Sequence, residues 1–140
     1  MTYEEVKSLL KNIRGKKSRL KALKSYIDEE MTLIEGVSAV SYDRVAVKTS
    51  QVNSTEGRYV KYLDRLKDLQ SRFDALMDDM CREEDIINDL MERLSPTEYK
   101  VILNRFLRGL SVNKTARIMN YSVDGIYDIQ ERAIKKMSKT

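Results

Sequence analysis

Apolar residues recur every seven positions over two long stretches of this chain, and few folds satisfy such a pattern. In the first stretch Val6, Ile13, Leu20, Ile27 and Ile34 form one row, Leu9 and Leu23 sit in the intervening row, and Lys16 and Glu30 interrupt it. In the second, Tyr59, Leu66, Phe73, Met80, Ile87 and Leu94 form one row, accompanied by Tyr62, Leu69, Leu76 and Leu90. Each series demands a long helix with an apolar partner along its length. Thr2 followed by Glu5 matches a capping box, so the first helix should begin there and extend about 50 Å to Ile34. The two series match in length, and folding one back on the other as an antiparallel coiled-coil hairpin buries both stripes. An intermolecular coiled coil would satisfy the same pattern, because heptads do not say which chain supplies the partner. Two helices alone also leave part of each stripe uncovered, which keeps a homodimer through the hairpin open.

Composition agrees with an all-α fold: 34% of residues are charged, 41% are hydrophobic, and the chain has one proline, five glycines and no tryptophan. There is no histidine, so the commonest metal ligand and the usual general base are both missing. Cys81 is the sole cysteine, and the acidic runs Asp78-Asp79 and Glu83-Glu84-Asp85 read as solvated helix face. No glycine-rich phosphate loop occurs. A protein that is not an enzyme is expected, with no catalytic residues, no metal and no cofactor. No apolar run approaches the roughly 20 residues of a membrane span. Charge is interspersed from Met1 to Lys24, unlike a secretory signal, so a cytoplasmic protein without a membrane partner is expected.

Between the two series lies a connector, residues 36–57, that is polar yet includes Val37, Val40, Val45 and Val47. It reads first as a partly ordered loop, with packing along the hairpin or a short extended piece as the alternatives. Beyond the second series the punctuation changes. Ser95, Pro96 and Glu98 form a dense helix start; Tyr99, Ile102, Leu103 and Phe106 share one face; Gly109 ends the helix. The expected organisation is therefore 1–93 as hairpin with its connector and 94–140 as a second unit. The charge is polarised to match: residues 59–93 carry six basic and ten acidic groups, whereas 94–140 carry nine and four. A basic terminal unit behind an acidic helix suggests that the former faces a polyanion.

Within 94–140, Ser111 offers another N-cap, a short helix runs to Met119, Asn120-Tyr121-Ser122 breaks it, and a final helix runs to about Met137. A turn that swings one helix across another needs a small residue at the crossing and a residue tolerant of left-handed angles in the bend; Ala116 and Asn120 meet these needs. Ile126, Ile129, Ala133, Ile134 and Met137 face the last helix inward. This is the pattern of a helix-turn-helix.

The stretch LSPTEYKVILNRFLRGLSVNKTARIMNYSVDGIYDIQERAIKKM resembles region 4 of bacterial sigma factors, through to the closing ERAIKKM. The whole chain also resembles small phage- and prophage-encoded proteins that join a helical hairpin to such an end, similar to late-transcription regulators of the ArpU and RinA kind. Tyr42–Ser50, YDRVAVKTS, looks like the connector of that group. The resemblance implies a regulator that binds double-stranded DNA and contacts host RNA polymerase. It puts the helix from Val123 in the major groove, with Ser122, Val123, Asp124, Gly125, Tyr127 and Asp128 facing bases. Lys114, Arg117, Arg132, Lys135 and Lys136 would meet phosphates, and Arg105 and Arg108 would add to the rim. The chain departs from the family at several of these positions. The base-facing set has no arginine or lysine, Lys114 stands where glutamate is common, and Thr115 where an aliphatic residue is common. Asp124 and Asp128 also suit a basic protein groove, so the alternative is a protein-interaction module acting without specific DNA reading.

Overall fold

In the computed structural model the backbone is described for residues 1–45 and 49–139, and the side chains for 1–35 and 56–139. The fold is all-α: α1 (Tyr3–Val45) and α2 (Thr49–Met91) form the antiparallel hairpin, followed by α3 (Pro96–Ile102), a π turn (Leu103–Leu107), α4 (Val112–Met119) and α5 (Val123–Ser138). No strand occurs among the described residues, and none of their helices is long and apolar enough to cross a membrane. Thr2 caps α1 as expected, its hydroxyl accepting the Glu5 N–H at 3.2 Å.

The hairpin helices run further than the heptads require. Within the expected loop or extended piece, residues 36–45 continue α1 to Val45 and residues 49–57 begin α2 at Thr49. No proline stands in this segment. Once a helix exists, each added residue gains a hydrogen bond without a new nucleation step, whereas long structureless loops are uncommon. The side chains of Tyr42–Ser50, which carry the resemblance of the connector, lie outside the described residues.

Contacts cluster into two units, residues 1–19 with 77–140, and residues 20–76. In the first unit the start of α1, the end of α2 and the C-terminal helices share one interior. Val6, Leu10 and Ile13 of α1, Ile87 of α2, Val101 and Ile102 of α3, and Ile126 and Ile134 of α5 are completely buried. The predicted row Val6–Ile13 is therefore core, but its companion is Leu10, while Leu9 is only half-buried. The reason is the third layer. A helix covered by more than one neighbour buries a stripe at i, i+4 and i+7, broader than the seam of a two-stranded coiled coil. Lys16, which breaks the apolar row, pairs with Glu83, and Lys17 lies 2.9 Å from Glu84.

Among its described residues the second unit contains only the two helices. Leu20, Ile27, Ile34 and Leu69 are buried, whereas Tyr59, Tyr62, Leu66, Phe73 and Leu76 are half-buried, as expected where two helices have no third layer. Glu30, the other interruption of the row, is 8% exposed, and its Oε2 has no hydrogen-bond partner among the described residues.

Leu10→Ala and Leu9→Ala distinguish the broad stripe from the seam. Leu10→Ala is expected to cost about 3 kcal/mol and Leu9→Ala less than about half of that, read from urea unfolding midpoints. Equal losses would mean that α1 buries a plain heptad seam at this end.

Candidate nucleic-acid interface

Three serine caps set where the C-terminal helices begin. Ser95 accepts the Glu98 N–H at 3.3 Å and Glu98 returns the bond, its Oε1 accepting the Ser95 N–H at 3.0 Å. Ser111 accepts from Lys114 N–H at 3.1 Å, and Ser122 from Gly125 N–H at 3.0 Å. Each hydroxyl satisfies a donor that the first turn would otherwise leave orphaned. The caps are local chemistry, which is why the sequence displays them.

Between α3 and α4 the chain does something the sequence does not announce. The turn from Leu103 to Leu107 widens to π geometry, with Arg108 N–H bonding the Leu103 carbonyl at 2.8 Å. Asn104, Arg105, Phe106 and Leu107 are consecutively buried there, which no ordinary one-faced helix turn would allow. Gly109 ends the segment at φ +69°, the left-handed region that favours glycine, and Leu110 N–H closes onto the Asn104 carbonyl at 2.8 Å. Arg105 is thus no rim residue. Its Nε donates to Gln130 Oε1 at 3.2 Å and its Nη1 to the Leu110 carbonyl at 2.8 Å. Burial lowers its pKa, the nearby charge of Arg14 adds to this, and Tyr127 opposes it. Arg108 is exposed and bonds Asn104 Oδ1 at 3.0 Å.

The crossing of α4 and α5 follows the expected chemistry. Asn120 takes φ 59° and ψ 42°, so α4 stops there, and the Ala116 carbonyl accepts both the Asn120 N–H and, at 2.9 Å, the Tyr121 N–H. Val101, Ala116, Ile126 and Ile129 form the core under the crossing, with Val112 and Met119 against it. Thr115 is completely buried in place of an aliphatic residue, and its hydroxyl donates to the Ser111 carbonyl at 2.9 Å. A buried hydroxyl with a partner costs little, so the departure is tolerated.

Ser122, Val123, Asp124, Tyr127 and Asp128 are exposed on the first two turns of α5, and Gly125 is half-buried. A Cβ at Gly125 would stand 3.0 Å from the Ser122 hydroxyl, so glycine keeps that cap close. Ile118 and Tyr121 are also exposed, at 52% and 46%. Lys114, Arg117, Arg132 and Lys135 are exposed, and among the described residues none has a carboxylate within ion-pair distance. Lys136 differs from them. It is exposed as well, but its Nζ lies 2.8 Å from the buried Glu98, so this cation also serves the fold. Burial tends to raise the Glu98 pKa, but the hydrogen bonds from Lys136 and Ser95 and the charge of Lys136 together hold it below its ordinary value.

Two anchors of α5 go unseen in the sequence. Arg93 donates to the Met137 carbonyl at 3.2 Å and also to the Lys139 carbonyl, placing a cation at the negative end of the helix. Tyr3 donates to Glu131 Oε1 at 2.5 Å, and this bond pushes the phenol up to about 12. Their partners stand 44 and 128 residues away, beyond any local pattern. Among the described residues no group of three or more His, Cys, Asp or Glu side chains is arranged to hold a metal ion.

A segment of 51 residues, 36% of the chain, is 37% identical to the ECF RNA polymerase sigma factor BldN of Streptomyces coelicolor. The match spans 19% of that protein's length. No protein-family model and no solved structure matches the chain.

Two titrations follow. Glu98, with its folded pKa lowered, contributes stability above its ordinary value of 4.5 that disappears as the pH falls through its folded value. Unfolding midpoints of the protein should therefore fall more steeply on the acid side than those of Glu98→Gln. Tyr3, raised from 10.0 to about 12, contributes stability that is complete below the lower value and lost as the pH climbs through the upper one. Tyr3→Phe should flatten that alkaline limb, and an unchanged limb would refute the role of the bond to Glu131.

Proposed function

We propose that the chain is a DNA-binding transcription regulator of phage or prophage type, with residues 94–140 as its DNA-facing part and the hairpin 1–93 as a second, dimer-forming part. The carrying observation is the capped α4–Asn120–α5 pair, which leaves Val123, Asp124, Tyr127 and Asp128 of α5 exposed while Lys114 and Arg117 on α4 have no ion-pair partner among the described residues. Such a pair suits a duplex: the start of the second helix enters the major groove, and cations on the first helix meet the phosphates on either side. The likeness of one segment to a sigma factor supports the same reading and extends it to contact with host RNA polymerase. Arg132 and Lys135 would join the phosphate contacts. Lys136, tied to Glu98, contributes to the shape of the unit.

A second reading is a protein-interaction module that docks on polymerase or another regulator without reading sequence. It is favoured by Ile118, Tyr121, Asp124 and Asp128 standing exposed around the turn.

Gel-shift titration separates the readings. On the first, random duplex DNA is retained at about 50 mM salt and released steeply as salt rises, because bound phosphates shed counterions. Lys114→Glu with Arg117→Glu weakens binding to all sequences alike by about tenfold or more and leaves the melting temperature nearly unchanged. Failure to retain any duplex at low salt, together with capture of purified polymerase, would establish the second reading.

A further inference from the structure

The exposed start of α5 is rich in acceptors and poor in donors. Asp124 and Asp128 offer carboxylate oxygens, Val123 offers a branched aliphatic surface, and Tyr127 offers a ring and one hydroxyl. The Ser122 oxygen accepts the Gly125 N–H and keeps one hydroxyl hydrogen, a single donor and no fork, and the exposed cations Arg132 and Lys135 lie beyond these two turns. Val123 and Tyr127 are four residues apart, as are Asp124 and Asp128, so two apolar-bodied and two acidic side chains form adjacent rows on one face.

In the major groove guanine presents only acceptors, N7 and O6, and asks for a donor fork that this face lacks. Cytosine N4 and adenine N6 present amino hydrogens, which a carboxylate accepts, and thymine presents a methyl group, which an aliphatic side chain covers. Resting on the DNA-binding reading, we infer that the start of α5 selects duplexes by amino hydrogens and thymine methyls, with Asp124 and Asp128 as amino-directed and Val123 as methyl-directed specificity residues, and makes no contact to guanine N7. The carboxylates also repel the flanking phosphates, so they lower affinity for every duplex that lacks a matched amino group. That makes them discriminators more than anchors.

The test is selection of bound DNA by the full chain from random duplexes at about 50 mM salt, followed by base-analogue replacement in the recovered motif. Expected is a motif whose contacted strand carries cytosine, adenine and thymine. Replacing thymine by uracil should weaken binding about fourfold per covered methyl, and replacing guanine by 7-deazaguanine should change it by less than about twofold. Asp124→Asn and Asp128→Asn should each strengthen binding to unselected duplexes while narrowing the ratio of selected to unselected affinity. A motif whose binding falls by about tenfold on 7-deazaguanine replacement overturns the inference while leaving DNA binding intact. Salt-dependent retention without any base preference does the same. No retained DNA overturns the inference together with the reading beneath it.

Discussion

Between Met119 and Val123 the chain must abandon one helix and begin another, and the left-handed angles of Asn120 make this possible. Most residues resist those angles because Cβ crowds the backbone; asparagine tolerates them. Everything on the exposed face of α5 inherits its position from that bend. The Ala116 carbonyl takes two donors from the turning chain, the small Ala116 side chain lets the helices approach, and Ile126 and Ile129 close the core beneath. On the opposite side the capped start of α5 stands clear.

What could be read from the sequence was local. The serine caps, Gly109, Asn120 and the inward face of α5 depend on residues within a turn of one another, and each appears where its chemistry suggests. Two-helix heptads likewise give the hairpin and the buried row of α1 from Val6 to Ile34. What escaped was set by distant partners. Nothing near Arg105 distinguishes it from a surface arginine, because the widened turn that buries it and the Gln130 that receives it belong to tertiary packing. Leu10 displaces Leu9 for a similar reason, since the additional layer over α1 comes from residues far along the chain. In the candidate site the exposure of Ser122, Val123, Asp124, Tyr127 and Asp128 was legible, but the engagement of Lys136 with Glu98 was not.

The basic residues of the C-terminal part therefore divide by task. Arg105 and Lys136 hold helices to one another, each satisfied by partners in the fold. Lys114, Arg117, Arg132 and Lys135 keep their charge in solvent, available to an anionic surface. A formal excess of positive charge thus overstates what this part can offer a ligand, and its arrangement matters more than its total.

The π turn at Leu103–Leu107 also bears on descent. A wide turn accommodates one residue more than an α turn does, and a helix that gains a single residue can absorb it in this way without rotating the segments on either side. A relative lacking the turn would be one residue shorter between the caps equivalent to Ser95 and Ser111, although both helices would present the same faces. Alignment of the two would require a gap inside a helix, where gaps are ordinarily discouraged. Kinship with such a chain would be easier to see in superposed backbones than in aligned letters.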